Sequence, residues 1–190
     1  LKALDAQESY LVSTAILYMQ FSAYSLPQRA LFRDKAKALM GHEDPGVRGR
    51  AVLFMANLAR GAERREAGEK IHELLKDPHP YVRSTSASAL AALGRLESIP
   101  QLMEMLDDSE RNTYTIKGFS KLTGEPGSVP HSGSAWFKVQ DAALKSLELM
   151  TMTMGDVRFQ YGPIKYKTAD EDIAKAVQSA QKWYRANKGA

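Results

Sequence analysis

Apolar residues recur at three- and four-residue intervals through much of the chain, and the pattern returns after 35 positions. Leu39 and Met40 fall on Leu74 and Leu75, Val47 on Val82, Phe54 and Met55 on Ala89 and Leu90, and Leu58 on Leu93. In the first copy Ala51, Phe54, Met55 and Leu58 form one stripe of an α-helix. In the second, Val82, Ser86, Ala89, Leu90 and Leu93 do the same, with Gly94 placed to end the helix. Repetition on this scale predicts stacked units, because one helix pair cannot bury its own apolar face. Each pair turns through a corner, Asp44-Pro45 or Asp77-Pro78-His79-Pro80. Proline disfavours helix in the residue before it and suits the first turn of the next helix.

A third copy is expected from Ser98, whose spacing to Gln101 is that of a capping box, with Ile99, Leu102, Met103 and Leu106 as its stripe. Its corner, Asp107-Asp108-Ser109, lacks proline, and Thr113-Tyr114 stands where Val47-Arg48 and Val82-Arg83 stand earlier, so this copy is degenerate. Residues 1–25 predict an N-terminal capping helix with Tyr10, Thr14, Leu17 and Phe21 on its stripe. Residues 26–124 hold the repeats and 125–134 a loop rich in turn formers. Residues 135–190 form a C-terminal helical cap. Within it, one helix carries Trp136, Val139, Ala143, Leu147 and Met150 and forms a fourth layer, and a closing helix carries Ile173, Ala176, Val177, Ala180 and Tyr184. Between them, residues 157–167 alternate with period two and predict a short extended excursion or β-hairpin.

The corners and stripes between Leu26 and Gly124 resemble the HEAT-repeat family, in particular its short bacterial, phycobilisome-lyase-like form. The resemblance implies an all-α solenoid of about three helix pairs with helical caps. It also implies a ladder joining adjacent repeats, built from an aspartate before the corner and an arginine six residues later. Asp77 and Arg83 match both positions, whereas in the first copy His42 takes the aspartate position and only Arg48 matches. A buried guanidinium needs acceptors, so Asp77 is the expected partner of Arg83.

At 44% hydrophobic residues the chain has enough apolar side chains for a core, and no run reaches the roughly 18 apolar residues of a membrane span. A soluble chain is expected, cytoplasmic in preference to periplasmic or secreted. The first residue, Leu1, points to removal of a tag, a signal or an upstream domain. Absence of cysteine excludes disulfides, thiolate metal sites and a thiol nucleophile. The net charge of +4 is only mildly basic, and Arg60, Arg64, Arg65 and Lys70 alternate with Glu63, Glu66, Glu69 and Glu73. That interleaving reads as a solvated helix face rather than a nucleic-acid footprint.

No catalytic set is written locally. His42, His72, His79 and His131 are scattered, with no pair at helical metal spacing, and His42 and His79 read as exposed corner residues. Met150, Met152 and Met154 suit Cu(I) in chemistry but read as packing residues. No cofactor is expected. Arg158, Tyr161, Lys165, Tyr166 and Lys167 combine aromatic and basic character and are candidate partner-binding residues. A stacked array leaves a concave surface along its second helices, and the family implies a non-catalytic scaffold or adaptor whose partner is another protein. Nucleic acid is the weaker alternative, through likeness to the alkylpurine DNA glycosylases with Trp136 and Asp141 as candidate residues.

Overall fold

The computed structural model describes residues 2–7, 9–22, 29–111, 138–152, 154, 158–160 and 170–188. Its eight α-helices among these residues are α1 (Ser9–Ser22), α2 (Arg29–Leu39), α3 (Pro45–Leu58), α4 (Glu63–Glu73), α5 (Pro80–Leu93), α6 (Ile99–Glu104), α7 (Val139–Thr151) and α8 (Asp170–Asn187). The described residues form no strand beyond one isolated antiparallel bridge between Arg111 and Lys138. Helices α1, α3, α5 and α7 pack side by side in that order as one layer. Helices α2, α4 and α6 each lie against the second helix of their own unit, and α8 closes the stack against α6 and α7. This is an all-α solenoid.

Local chemistry explains the helix ends. Pro45 and Pro80 occupy first-turn positions, where the missing N–H costs nothing. Asp44 caps α3 by accepting the Gly46 and Val47 N–H groups at 2.8 and 3.3 Å. Gly94 ends α5 with φ of 66°, and the Arg95 N–H turns back to the Leu90 carbonyl at 3.1 Å. Ser98 departs from the expected capping box. It makes no cap to α6, which follows directly on a 3-10 turn, and its hydroxyl meets His72 Nδ1 at 2.9 Å instead.

The core runs continuously through the stack and includes Val12, Ile16, Phe54, Met55, Leu58, Ile71, Leu90, Leu102, Leu106, Leu144 and Leu147. Phe32 of α2 meets Phe54 of α3 edge-on with ring centroids 6.4 Å apart. Small residues set the spacing of the second-helix layer. A Cβ on Gly49 would lie 2.3 Å from Tyr81 Cε1, so α5 reaches this close only because α3 has no side chain there.

Two expectations about the flanks change. The buried side of α1 is Val12, Ser13 and Ile16, while Tyr10, Thr14 and Leu17 are only partly buried and the side chain of Phe21 lies outside the description. α1 carries no charged residue, so its pattern has no polar side to orient it. Helix α7 is not an added fourth layer. The Val139 and Gln140 N–H groups bond the Glu110 and Asp108 carbonyls at 2.9 and 3.0 Å, which joins α7 to the corner after α6. With α7 packed on α5 as α5 packs on α3, α7 is the second helix of the third unit, reached across residues 112–137. The expected loop at 125–134 lies outside the described residues, and of the period-two segment only 158–160 is described, without strand structure.

Candidate interaction surface

The corner edge of the stack is held by a repeated arginine arrangement. Arg48 donates through Nη1 to the carbonyls of His42 and Glu43, both at 2.9 Å. Its Nε and Nη2 hold the two oxygens of Asp77 in the next unit, again at 2.9 Å each. Arg83 repeats the pattern, with Nη1 donating to the Asp77 and Pro78 carbonyls at 2.9 and 3.1 Å. Its Nε reaches Asp108 at 2.7 Å and its Nη2 reaches Glu110 at 2.6 Å. The carboxylate of Asp77 therefore belongs to Arg48, and Arg83 takes its ions from the third corner, touching Asp77 only at the backbone. Each arginine fixes its own corner and grips the following one. Burial works against the charge on Arg83, yet its bonds to Asp108 and Glu110 raise its pKa above the ordinary arginine value.

Three residues occupy the equivalent acceptor position. Asp77 Oδ1 accepts the His79 N–H at 2.9 Å, Asp108 Oδ1 accepts the Glu110 N–H at 3.1 Å, and His42 Nδ1 accepts the Asp44 N–H at 3.0 Å. His79 caps α5 in a similar way, its Nδ1 accepting the Tyr81 N–H at 3.2 Å. Both corner histidines are thus half-buried backbone acceptors rather than exposed turn residues. Burial, aided by Arg48 and Arg83, holds the His79 imidazole below its usual pKa despite the opposing charges of Asp77 and Asp44.

The opposite edge carries a second arrangement, which the charge pattern alone does not reveal. Arg29 Nη1 donates to the Leu58 carbonyl at 2.7 Å and to Glu63 at 2.8 Å. Arg64, 35 positions on, donates to the Ala92 carbonyl at 2.9 Å. Each ties the first helix of its unit to the carbonyl-rich end of the second. Glu63 also accepts Arg33 and the Arg60 N–H, and that backbone bond is the largest reason its pKa lies below the usual range. Glu66 pairs with Lys37 of α2, while Arg65–Glu69 and Lys70–Glu73 lie within α4. The 35-residue shift that relates the apolar stripes was the available signal for Arg29 and Arg64.

At α3 and α5 the second-helix layer is sealed rather than open. On α5 only Ser88 and Ala92 are exposed, and on α3 no residue is. The charged residues of these two helices are Arg48, Arg50 and Arg83, and Arg50 is 3% exposed with Nη1 on the Ser13 carbonyl at 2.6 Å. Among the described residues, open grooves lie on either side of α6. One, of about 440 Å³, is lined by residues of α4 and of the segment Arg95–Gln101. The other, of about 490 Å³, lies between α6 and α8 and includes Met103, Tyr184 and Arg185.

Of the candidate partner-binding residues, Arg158 is half-buried beside Phe159, which is 2% exposed and packs on Trp183 with centroids 5.9 Å apart. Tyr161, Lys165, Tyr166 and Lys167 lie outside the described residues, as does Trp136. Asp141 is 4% exposed, and its Oδ2 accepts the Lys138 N–H at 2.8 Å at the start of its own helix. Met150 is buried and Met152 is 51% exposed.

A family model described as HEAT repeats matches residues 34–115. Residues 34–115 are HEAT repeats. They span α3 to α6 and both rungs of the corner ladder. The chain is also 34% identical over 107 residues to a protein named Phospholipase A I from Arabidopsis thaliana, a match covering 51% of this chain and 8% of that protein. The chain thus spans only a small part of the length of that relative. Among the described residues no group of three or more His, Asp or Glu side chains is arranged to hold a metal, and no helix is long and apolar enough to cross a membrane.

Proposed function

We propose that this chain is a non-catalytic interaction module that docks another protein on the first-helix side of its HEAT array. The observation that carries this reading is a contrast among the described residues: α3 and α5 are enclosed, while two open grooves flank α6. A stack pinned on both edges presents those grooves in a preformed arrangement, which lowers the ordering cost of binding. The stretch shared with Phospholipase A I is 8% of that protein, and the docking role proposed for this chain does not draw on the chemistry in that name. DNA binding is disfavoured by the pairing of Arg29, Arg33, Lys37, Arg48 and Arg83 with carboxylates of the chain itself.

The test is affinity capture from the source organism with nuclease present, followed by calorimetry with the purified partner. Saturable binding at fixed stoichiometry, weakened by substitutions at Gln101 or Met103, supports the proposal. Tight, steeply salt-dependent retention of duplex DNA with no saturable protein partner overturns it.

A further inference from the structure

The first-helix layer repeats with the shift of 35, but its two interfaces are filled differently. Between α2 and α4 the chain supplies its own ions: Arg29 and Arg33 share Glu63, and Lys37 holds Glu66 at 2.7 Å. Thirty-five residues on, Gly68 replaces Arg33, Ser98 replaces Glu63, His72 replaces Lys37 and Gln101 replaces Glu66. Both carboxylates of the first interface are missing from the second. The space they leave is the 440 Å³ groove.

A guanidinium has nevertheless been put back. Arg95 enters from the turn after α5 and lies across α4 where Gly68 has no side chain, since a Cβ there would sit 2.8 Å from Arg95 Cδ and Nε. Ser98 is 1% exposed and its hydroxyl is taken by His72. Gln101 Oε1 is shielded from solvent and has no hydrogen-bond donor. The groove's own carboxylates, Glu69 and Glu97, stand at its rim with side chains 59% and 58% exposed, paired with Arg65 and Arg95. The Arg65–Glu69 pair is exposed on both sides, and Glu97 holds the 18% exposed Arg95 side chain from the solvent side, where a second acceptor can compete for it. The two rim carboxylates also disfavour a dianion, which makes phosphate a poorer fit than a single carboxylate.

We propose that this groove receives an acidic residue of a partner polypeptide, its carboxylate meeting the Arg95 guanidinium. The ligand supplies from outside what Glu63 and Glu66 supply within the first interface. The inference rests on the protein-docking reading above and names the chemistry of the partner.

The experiment is a ¹H–¹⁵N NMR titration of the full chain with a capped Ala-Ala-Glu-Ala-Ala peptide, with its glutamine counterpart and inorganic phosphate as controls. Saturable shifts confined to Gly68, Arg95, Ser98 and Gln101, at least tenfold weaker with the glutamine peptide, are expected. Arg95→Gln should abolish them, and so should Gln101→Glu, which restores the residue of the first interface at a partly exposed position. Both variants should keep the amide dispersion of the folded chain. Equal response to the two peptides, a stronger response to phosphate, or unchanged binding by a folded Arg95→Gln variant overturns the proposal. If a captured protein binds wild type and Arg95→Gln equally, the groove is discarded and the docking reading stands. If no protein partner binds at all, the docking reading fails first.

Discussion

Asp77 shows how much rests on one side chain in this array. Its carboxylate is 4% exposed and accepts two bonds from Arg48 and one from the His79 N–H. Asp77→Ala should cost about 3 kcal/mol in denaturant unfolding, because a largely buried guanidinium loses its counterion. Lys37→Ala, at an exposed pair, should leave stability nearly unchanged in the same measurement. His79 adds a pH dependence. Its folded-state pKa is depressed below 6.5 and the unfolded chain binds the proton more readily, so its contribution is complete above that value and declines as pH falls toward the folded-state value. The depressed carboxylates Glu63, Glu66 and Asp170 lose their contributions only at lower pH, as it falls below their ordinary values of 4.5 and 3.8. Thermal melts between about pH 7.5 and 5.5 should therefore show a decline that His79→Asn reduces, since asparagine caps a helix without titrating.

Helices and corners were legible because their signals are local. Proline at the first turn, glycine after the last, and apolar stripes each depend on a few neighbouring residues. The ladder positions Arg48, Asp77 and Arg83 were legible as positions, but their partners were not, since pairing runs to the next unit and Asp108 carries no proline signal beside it. The charged stretch from Arg60 to Glu73 misled in part. Alternation suggested pairs within α4, whereas Glu63 and Glu66 reach back to α2. Two predictions belong to this scale. Gly49→Ala should destabilise by about 1–3 kcal/mol, because the buried Tyr81 ring would have to move from α3. Arg83→Ala should raise amide exchange in α7 far more than in α3, since each unit is held mainly by its neighbours.

At the scale of the whole molecule, sequence reading found the repeated architecture but misassigned its third unit. The signal failed at a definite place. The residues expected to continue the third copy, from 112 on, lie outside the described residues, and the helix packed on α5 begins at Val139, beyond the range in which periodicity links neighbouring segments. The hydrogen bonds from Val139 and Gln140 back to Glu110 and Asp108 mark where spatial order departs from chain order.

That departure sets an entropic handicap on assembly. In the first unit the two helices are joined by residues 40–44, and in the third by residues 108–138. Bringing together helices set further apart in sequence costs about 1.5 kcal/mol more in chain entropy as the unfolded chain assembles. During refolding α7 should therefore be the last strut to dock, and a pulse-labelling experiment would find residues 45–93 shielded from exchange while 139–151 still exchange freely.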